Sequence, residues 1–237
     1  MEKYTYLFIN FFSILIPLLV SFEKRIAYYK QWKYLFPSLL ITATFFIIWD
    51  HFLTVWGVWG FNPKYVIGFY LWELPIEEWL FFITIPYSCV FIYVSLNYIL
   101  KKNLLNRYAK NISLALIVIL SVIVLFNSSK LYTCIKLSLT VIMLVYAWKN
   151  NLAFMGKFYR AYLVSLIPFF VVNGFLTALP VVIYNNNENL GIRMGSIPVE
   201  DTIYTLLLLL MNITLFEYFK NRNINSVVNH VKSPSLH

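Results

Sequence analysis

Seven apolar runs constrain this chain more than any other feature. They cover residues 4–21, 35–55, 76–99, 111–127, 131–149, 160–183 and 198–219. Each is close to the roughly 20 apolar residues that a helix needs to cross a bilayer core. Lipid offers no partner to an unpaired backbone N–H or C=O, so such runs are helices or strands of a closed barrel. The period-two alternation of barrel strands is absent. The expected fold class is therefore all-α: a polytopic membrane bundle of seven transmembrane helices. Charged residues make up 12% of the chain, where a soluble domain carries about a quarter. The mean hydropathy is +0.71. The first run lacks a small-residue cleavage site and reads as a retained span, not a signal peptide. Cys89 and Cys134 lie inside apolar runs without metal-ligand spacing and read as small buried hydrophobes.

The net charge of +9 does not indicate nucleic acid, because of where the charges sit. Lys24, Arg25, Lys30, Lys33, Lys101, Lys102, Arg107, Lys110, Lys149, Lys157 and Arg160 fall in one set of loops, and Lys220, Arg222 and Lys232 follow the last run on that side. Only Lys3, Lys64, Lys130, Lys136 and Arg193 fall on the other. The positive-inside rule then predicts N-terminus out and C-terminus in, with the basic loops anchored against anionic lipid. The polar end of the chain, "NINSVVNHVKSPSLH", is expected to be poorly ordered.

Two stretches echo each other. "FFIIWD" (45–50) aligns with "FFVVNG" (169–174) at an offset of 124, and "LPIEE" (74–78) with "IPVED" (197–201) at 123. The simplest reading is two three-helix units, 1–103 and 131–220, joined by a connecting span in 104–130, with a polar tail at 221–237. Spans 1 and 5 are four crossings apart, so the repeats run parallel about an axis along the membrane normal. Spans 3 and 7 then start on the same side, and their acidic pairs can meet near that axis.

Glu77, Glu78, Glu200 and Asp201 open those two spans behind a proline. A proline followed by acids is also a good helix start on capping grounds alone. Here, however, the acids abut lipid-length apolar runs, where charge is costly, and they recur at matched positions. Asp50, at the end of span 2, brings a fifth acid to the same layer. Clustered carboxylates in a low dielectric cannot all ionise, so some hold a proton near neutral pH. Trp49, Trp72 and Trp79 crowd the region, either as an interfacial belt or as a lining for a long apolar ligand whose rings also steady a carbocation. Arg193 is either a surface charge or an ion-pair partner of Glu200 or Asp201. Asn62 and Asn173 complete the supporting or substrate-binding candidates. His51 reads as an interfacial histidine rather than a proton relay.

These motifs resemble the small membrane-type lycopene cyclases, in which two homologous three-helix subunits act together or are fused. The segments that carry the resemblance are "YTYLFINFFSILIPLLVSF", "WDHFLTVWGVWGFNPKYVIGFYLWELPIEEWLFF" and "NLGIRMGSIPVEDTIY". It implies a lycopene β-cyclase, an isomerase of carotenoid biosynthesis that closes the ψ ends of lycopene into β-ionone rings by proton transfer without redox change. It makes Glu77, Glu78, Glu200 and Asp201 the motif acids, with Glu77 and Glu200 expected to share donor and base work. Asp50 faces Gly174 in the alignment, which leaves open whether there are two sites or one composite site. No cofactor and no metal are expected: there is no G-x-G-x-x-G and no Asp-rich diphosphate site. The implied partners are a linear carotenoid and membrane lipid, with self-association or association with other carotenoid enzymes left open. The implied location is a bacterial inner membrane. The rival reading is a proton-coupled transporter or another membrane protein that binds a long isoprenoid without catalysis.

Overall fold

The computed structural model describes the backbone of residues 1–232 and the side chains of residues 1–223. Its main elements are α1 (Thr5–Val20), α2 (Trp32–Val55), α3 (Ile76–Ile99), α4 (Ala109–Phe126), α5 (Leu131–Lys149), α6 (Met155–Ala178) and α7 (Glu200–Lys232). All seven are long and apolar enough to cross a membrane, and the chain is an integral membrane protein. The last two helices differ most from the hydropathy reading. The sixth run was expected to span 160–183, but α6 stops at Ala178. The apolar residues beyond it form a strand that covers the bundle end, and burial there looks like burial in lipid to a hydropathy count. The seventh helix runs on to Lys232, and the last part of the polar tail, residues 233–237, lies outside the described residues.

Six short strands were not foreseen: β1 (Trp59–Phe61), β2 (Tyr70–Leu71), β3 (Leu74–Pro75), β4 (Val182–Tyr184), β5 (Arg193–Met194) and β6 (Ile197–Pro198). β2 pairs with β3 just before α3, and β5 with β6 just before α7. The first hairpin turns through Trp72 and Glu73, both at positive φ, and the second through Gly195 at φ 65°. Glycine takes that conformation without the Cβ clash that Trp72 and Glu73 must bear.

β1 joins β4 across the end of the bundle. Gly60 lies opposite Ile183, Trp59 opposite Tyr184 and Phe61 opposite Val182. Gly60 and Ile183 are 123 positions apart, so a position faces its own counterpart. The flanking bonds are reciprocal: Asn62 N–H donates to the Val181 carbonyl and Asn185 N–H to the Val58 carbonyl, each at 2.9 Å. Self-complementary contacts of this kind are what a two-fold relation produces. The helix pairings follow the same scheme. α1 packs on α3 as α5 does on α7, and α2 packs on α7 as α6 does on α3. α3 and α7 touch at the centre, and α4 lies outside the scheme, mainly against α5.

Candidate active site

The five acids singled out from the sequence are all buried: Asp50 and Glu77 at 0% exposure, Glu200 at 1%, and Glu78 and Asp201 at 4% each. None serves as a helix cap for α3. What separates them is which way each carboxyl is used. Glu77 Oε1 accepts the Ile67 N–H at 2.7 Å, and Glu200 Oε1 accepts the Leu190 N–H at 2.6 Å. Each bond reaches back ten residues and ties down the loop that leads into the hairpin. Thr133 also donates to Glu200 Oε1, at 2.7 Å. The first acid of each pair is therefore bound to backbone.

The second acids turn into a common chamber. Adjacent helix residues point about 100° apart, so when the first acid faces the loop its neighbour faces the bundle. Glu78 and Asp201 line one cavity, together with Tyr6, Lys136, Asn173 and Tyr204. β1 and β4 roof it with Trp59, Phe61, Val182 and Tyr184.

On the Glu78 side, the Tyr6 hydroxyl donates to Oε2 at 2.5 Å. The Asp50 carboxyl faces that of Glu78. Asp50 Oδ2 lies 3.4 Å from the Tyr204 hydroxyl, and no donor reaches Oδ1. On the Asp201 side the carboxylate is saturated. Tyr132 donates to Oδ1, and Asn173 and Tyr184 donate to Oδ2 at 2.9 and 2.8 Å. Burial, and then the Asp201 carboxylate, hold the Tyr184 phenol well above its ordinary range, so it stays a donor. Lys136 Nζ stands 3.6 Å from Asp201 Oδ1 and donates to the Tyr132 hydroxyl. The same ammonium sits over three rings, 3.7 Å from the Tyr132 centroid, 3.9 Å from Tyr204 and 4.7 Å from Trp59.

The two halves of the chamber correspond at a fixed offset. Asp50 and Asn173 are 123 positions apart, and each addresses the second acid of its own half. The alignment of Asp50 with Gly174 is thus one residue out of register at that helix end. The turn bonds Val58 N–H to Leu53 C=O and Val181 N–H to Leu176 C=O also match at 123. Residues at this offset take matching places, but Asp50 stands on one side where Asn173 stands on the other.

Other sequence candidates lie elsewhere. Arg193 does not meet Glu200 or Asp201: its guanidinium donates to the Ser196 carbonyl and Asn186 Oδ1, each at 2.6 Å, on the exposed hairpin. The lysine in its stead is Lys136, fully buried in α5. Counting Lys136 among flanking loop charges misplaced it. A lysine inside a lipid-length run is itself a signal of function, and that signal was legible. Trp72 is exposed in the first hairpin, where its carbonyl meets His51 Nδ1 at 2.9 Å. Trp79 bonds the Leu71 carbonyl at 3.3 Å. Asn62 accepts from the Lys64 N–H at 3.1 Å and stays at the chamber's margin. Trp49 is buried behind the chamber, stacked on Phe46. Tyr6, Tyr132, Tyr184 and Tyr204 were missed, since nothing local sets these four apart from the other fourteen of the 18 tyrosines.

Among the described residues no group of His, Cys, Asp and Glu is arranged to hold a metal ion. The chamber can instead hold a proton on one side, an anion on the other, and an apolar end group between them. Comparison with known families matches residues 3–96 and 129–219 to the lycopene cyclase family. No curated protein and no solved structure matches the chain. The match covers well over half of the sequence and includes every chamber residue, and the chain belongs to the lycopene cyclase family.

Proposed function

We propose that this protein is a lycopene β-cyclase, an isomerase that closes the ψ ends of lycopene by moving a proton. One observation carries the reading: a single ring-lined chamber is lined by the Glu78 carboxyl, which the buried Asp50 carboxyl faces from behind, and by the Asp201 carboxylate tied to a lysine. Asp50 and Glu78 are the acid. Two facing carboxyls in a low dielectric repel if both are charged, so they hold a proton between them, and Asp50 Oδ1 has no other donor. That proton adds to the terminal double bond. The internal double bond attacks the cation and forms the ring bond. A proton is lost from the ring, and Asp201, paired with Lys136 and accepting from three hydrogen-bond donors, takes it. One proton enters and one leaves, so substrate and product are isomers, and the choice of departing proton sets β over ε.

The rings divide the work. Lys136 occupies the faces of Trp59, Tyr132 and Tyr204, and this leaves Phe61, Phe81 and Phe169 to face the carbocation. The strand roof keeps water from quenching it. Glu77 and Glu200, the first acids, support the site by holding the loops and do not touch substrate. We read the bundle as two parallel three-helix units that build one composite site, with the chamber on the side away from the basic loops, N-terminus out, in a bacterial inner membrane. A proton-coupled carrier is the weaker reading, because the buried acids and Lys136 gather at one end of the bundle.

The test is pigment analysis of a host that accumulates lycopene and expresses this chain. Monocyclic or bicyclic β-carotenoids are expected, and unchanged lycopene with the protein inserted in the membrane would overturn the reading. A second expectation separates the paired acids. Glu77→Gln weakens a charge-assisted bond to the Ile67 N–H, so it lowers unfolding stability in detergent by about 1 kcal/mol. Cyclisation per folded molecule stays at the wild-type rate. A loss of turnover without a loss of stability would return Glu77 to the chemistry.

A further inference from the structure

We propose that the gap between α1 and α6 is a side door by which a linear polyene slides out of the bilayer into the chamber. The proposal rests on the cyclase reading above and adds the place where the rest of the substrate lies while one end reacts. Three spaces run together. The chamber shares Phe81, Phe169, Asn173, Tyr204 and Thr205 with a second cavity. That cavity shares Ser13, Ser88, Ile92, Pro168 and Val172 with an open trough of about 1280 Å³ between the two helices.

No charged side chain lines the cavity or the trough. The trough follows α1 from Thr5 to Pro17, a length of about 18 Å at 1.5 Å per residue. Phe8, Phe12 and Ile16 on one wall and Val171 and Phe175 on the other are exposed on the membrane-spanning surface. Each wall carries a mid-helix proline, Pro17 or Pro168, and proline removes one helical donor. The Ser13 carbonyl that Pro17 leaves unpaired is met by the Ser88 hydroxyl at 2.9 Å. An uncharged slot that opens on lipid and ends at an acid and a base suits a long hydrocarbon whose tip is the reacting part.

The other half of the bundle has the corresponding place filled. At an offset of 123, Val172 corresponds to Trp49 and Ser88 to Met211. Trp49 is buried, its ring 5.5 Å from that of Phe46, and Met211 packs on the same cluster. The halves thus differ at a second point besides Asp50 and Asn173: one is open where the other is plugged by an indole. Through this door, a polyene cyclised at both ends leaves and returns with its other end first.

Val172→Trp copies the plug into the open half, and Ser88→Met is the milder copy. In a lycopene-accumulating host each is expected to lower conversion per inserted molecule, Val172→Trp by roughly tenfold or more. Val122→Trp, on the exposed face of α4, converts as the wild type does. A second measurement is the lycopene that co-purifies with each protein, which the two plug variants lose in step with their activity. Wild-type levels of both conversion and bound lycopene in both plug variants would overturn the door. So would lost conversion with undiminished bound lycopene, or a wild-type protein that co-purifies with phospholipid and no polyene. A wild-type protein that holds lycopene in a plug-sensitive way but leaves it linear would sink the cyclase reading and leave the door standing.

Discussion

Glu78→Gln is expected to leave lycopene linear, with cyclisation down by roughly 10²–10⁴-fold, the usual worth of a positioned general acid. Gln keeps the shape of Glu and still accepts the Tyr6 hydroxyl, so the fold is retained. What disappears is the proton that the proposed mechanism places between Glu78 and Asp50. Asp50→Asn is expected to do the same from the other side, and it is the sharper probe. It places on α2 the residue type that α6 already carries at Asn173, which makes the two halves alike at this position and leaves Glu78 without a facing carboxyl. The measurement is conversion per inserted molecule, with Glu77→Gln as the matched control one residue away. If Glu78→Gln or Asp50→Asn keeps more than about a tenth of wild-type turnover, the proton comes from elsewhere.

Lys136→Met is expected to act on both stability and activity. It leaves Asp201 charged and buried opposite an apolar side chain, and breaking one side of such a pair costs about 3–5 kcal/mol. Tyr132, Tyr184 and Asn173 still donate to Asp201 and offset part of that. Pairing it with Asp201→Asn removes both charges together and is expected to recover most of the stability. The double variant is expected to remain inactive, because the proposed base is gone as well. Thermal unfolding in detergent and pigment conversion read the two effects separately. If the double variant is as unstable as Lys136→Met alone, Lys136 serves packing over the three rings and not the charge on Asp201.

Much of the architecture was legible in the chain. Five of the seven spans were placed within a few residues at both ends, because run length and lipid's lack of hydrogen-bond partners leave little choice. The sixth strayed where Val181, Val182 and Ile183 are apolar for a different reason, as a turn and strand roofing the site, and the seventh helix runs on past the apolar stretch. The acids were legible too, since a carboxylate beside a lipid-length run is costly and needs a reason. Their ranking was not. Glu77 and Glu200 align as the first acids of their motifs, yet it is Glu78 and Asp201 that reach the chamber, and only the direction of each side chain off its helix decides that. Lys136 could have been found from its place inside a span, whereas Tyr6, Tyr132, Tyr184 and Tyr204 could not.

The sequence by itself determined the class of fold, the family, the five buried acids and the echo between the halves. Each of these follows from local composition, spacing or motif. Only the tertiary structure decided which partner meets each carboxyl across 28 to 154 positions of chain, that Asp50 answers to Asn173 and not to Gly174, and that Lys136 holds Asp201. Partnerships at that range depend on how helices rotate and pack against one another. A one-residue change of register turns a side chain by about 100°, from the loop into the chamber or out of it.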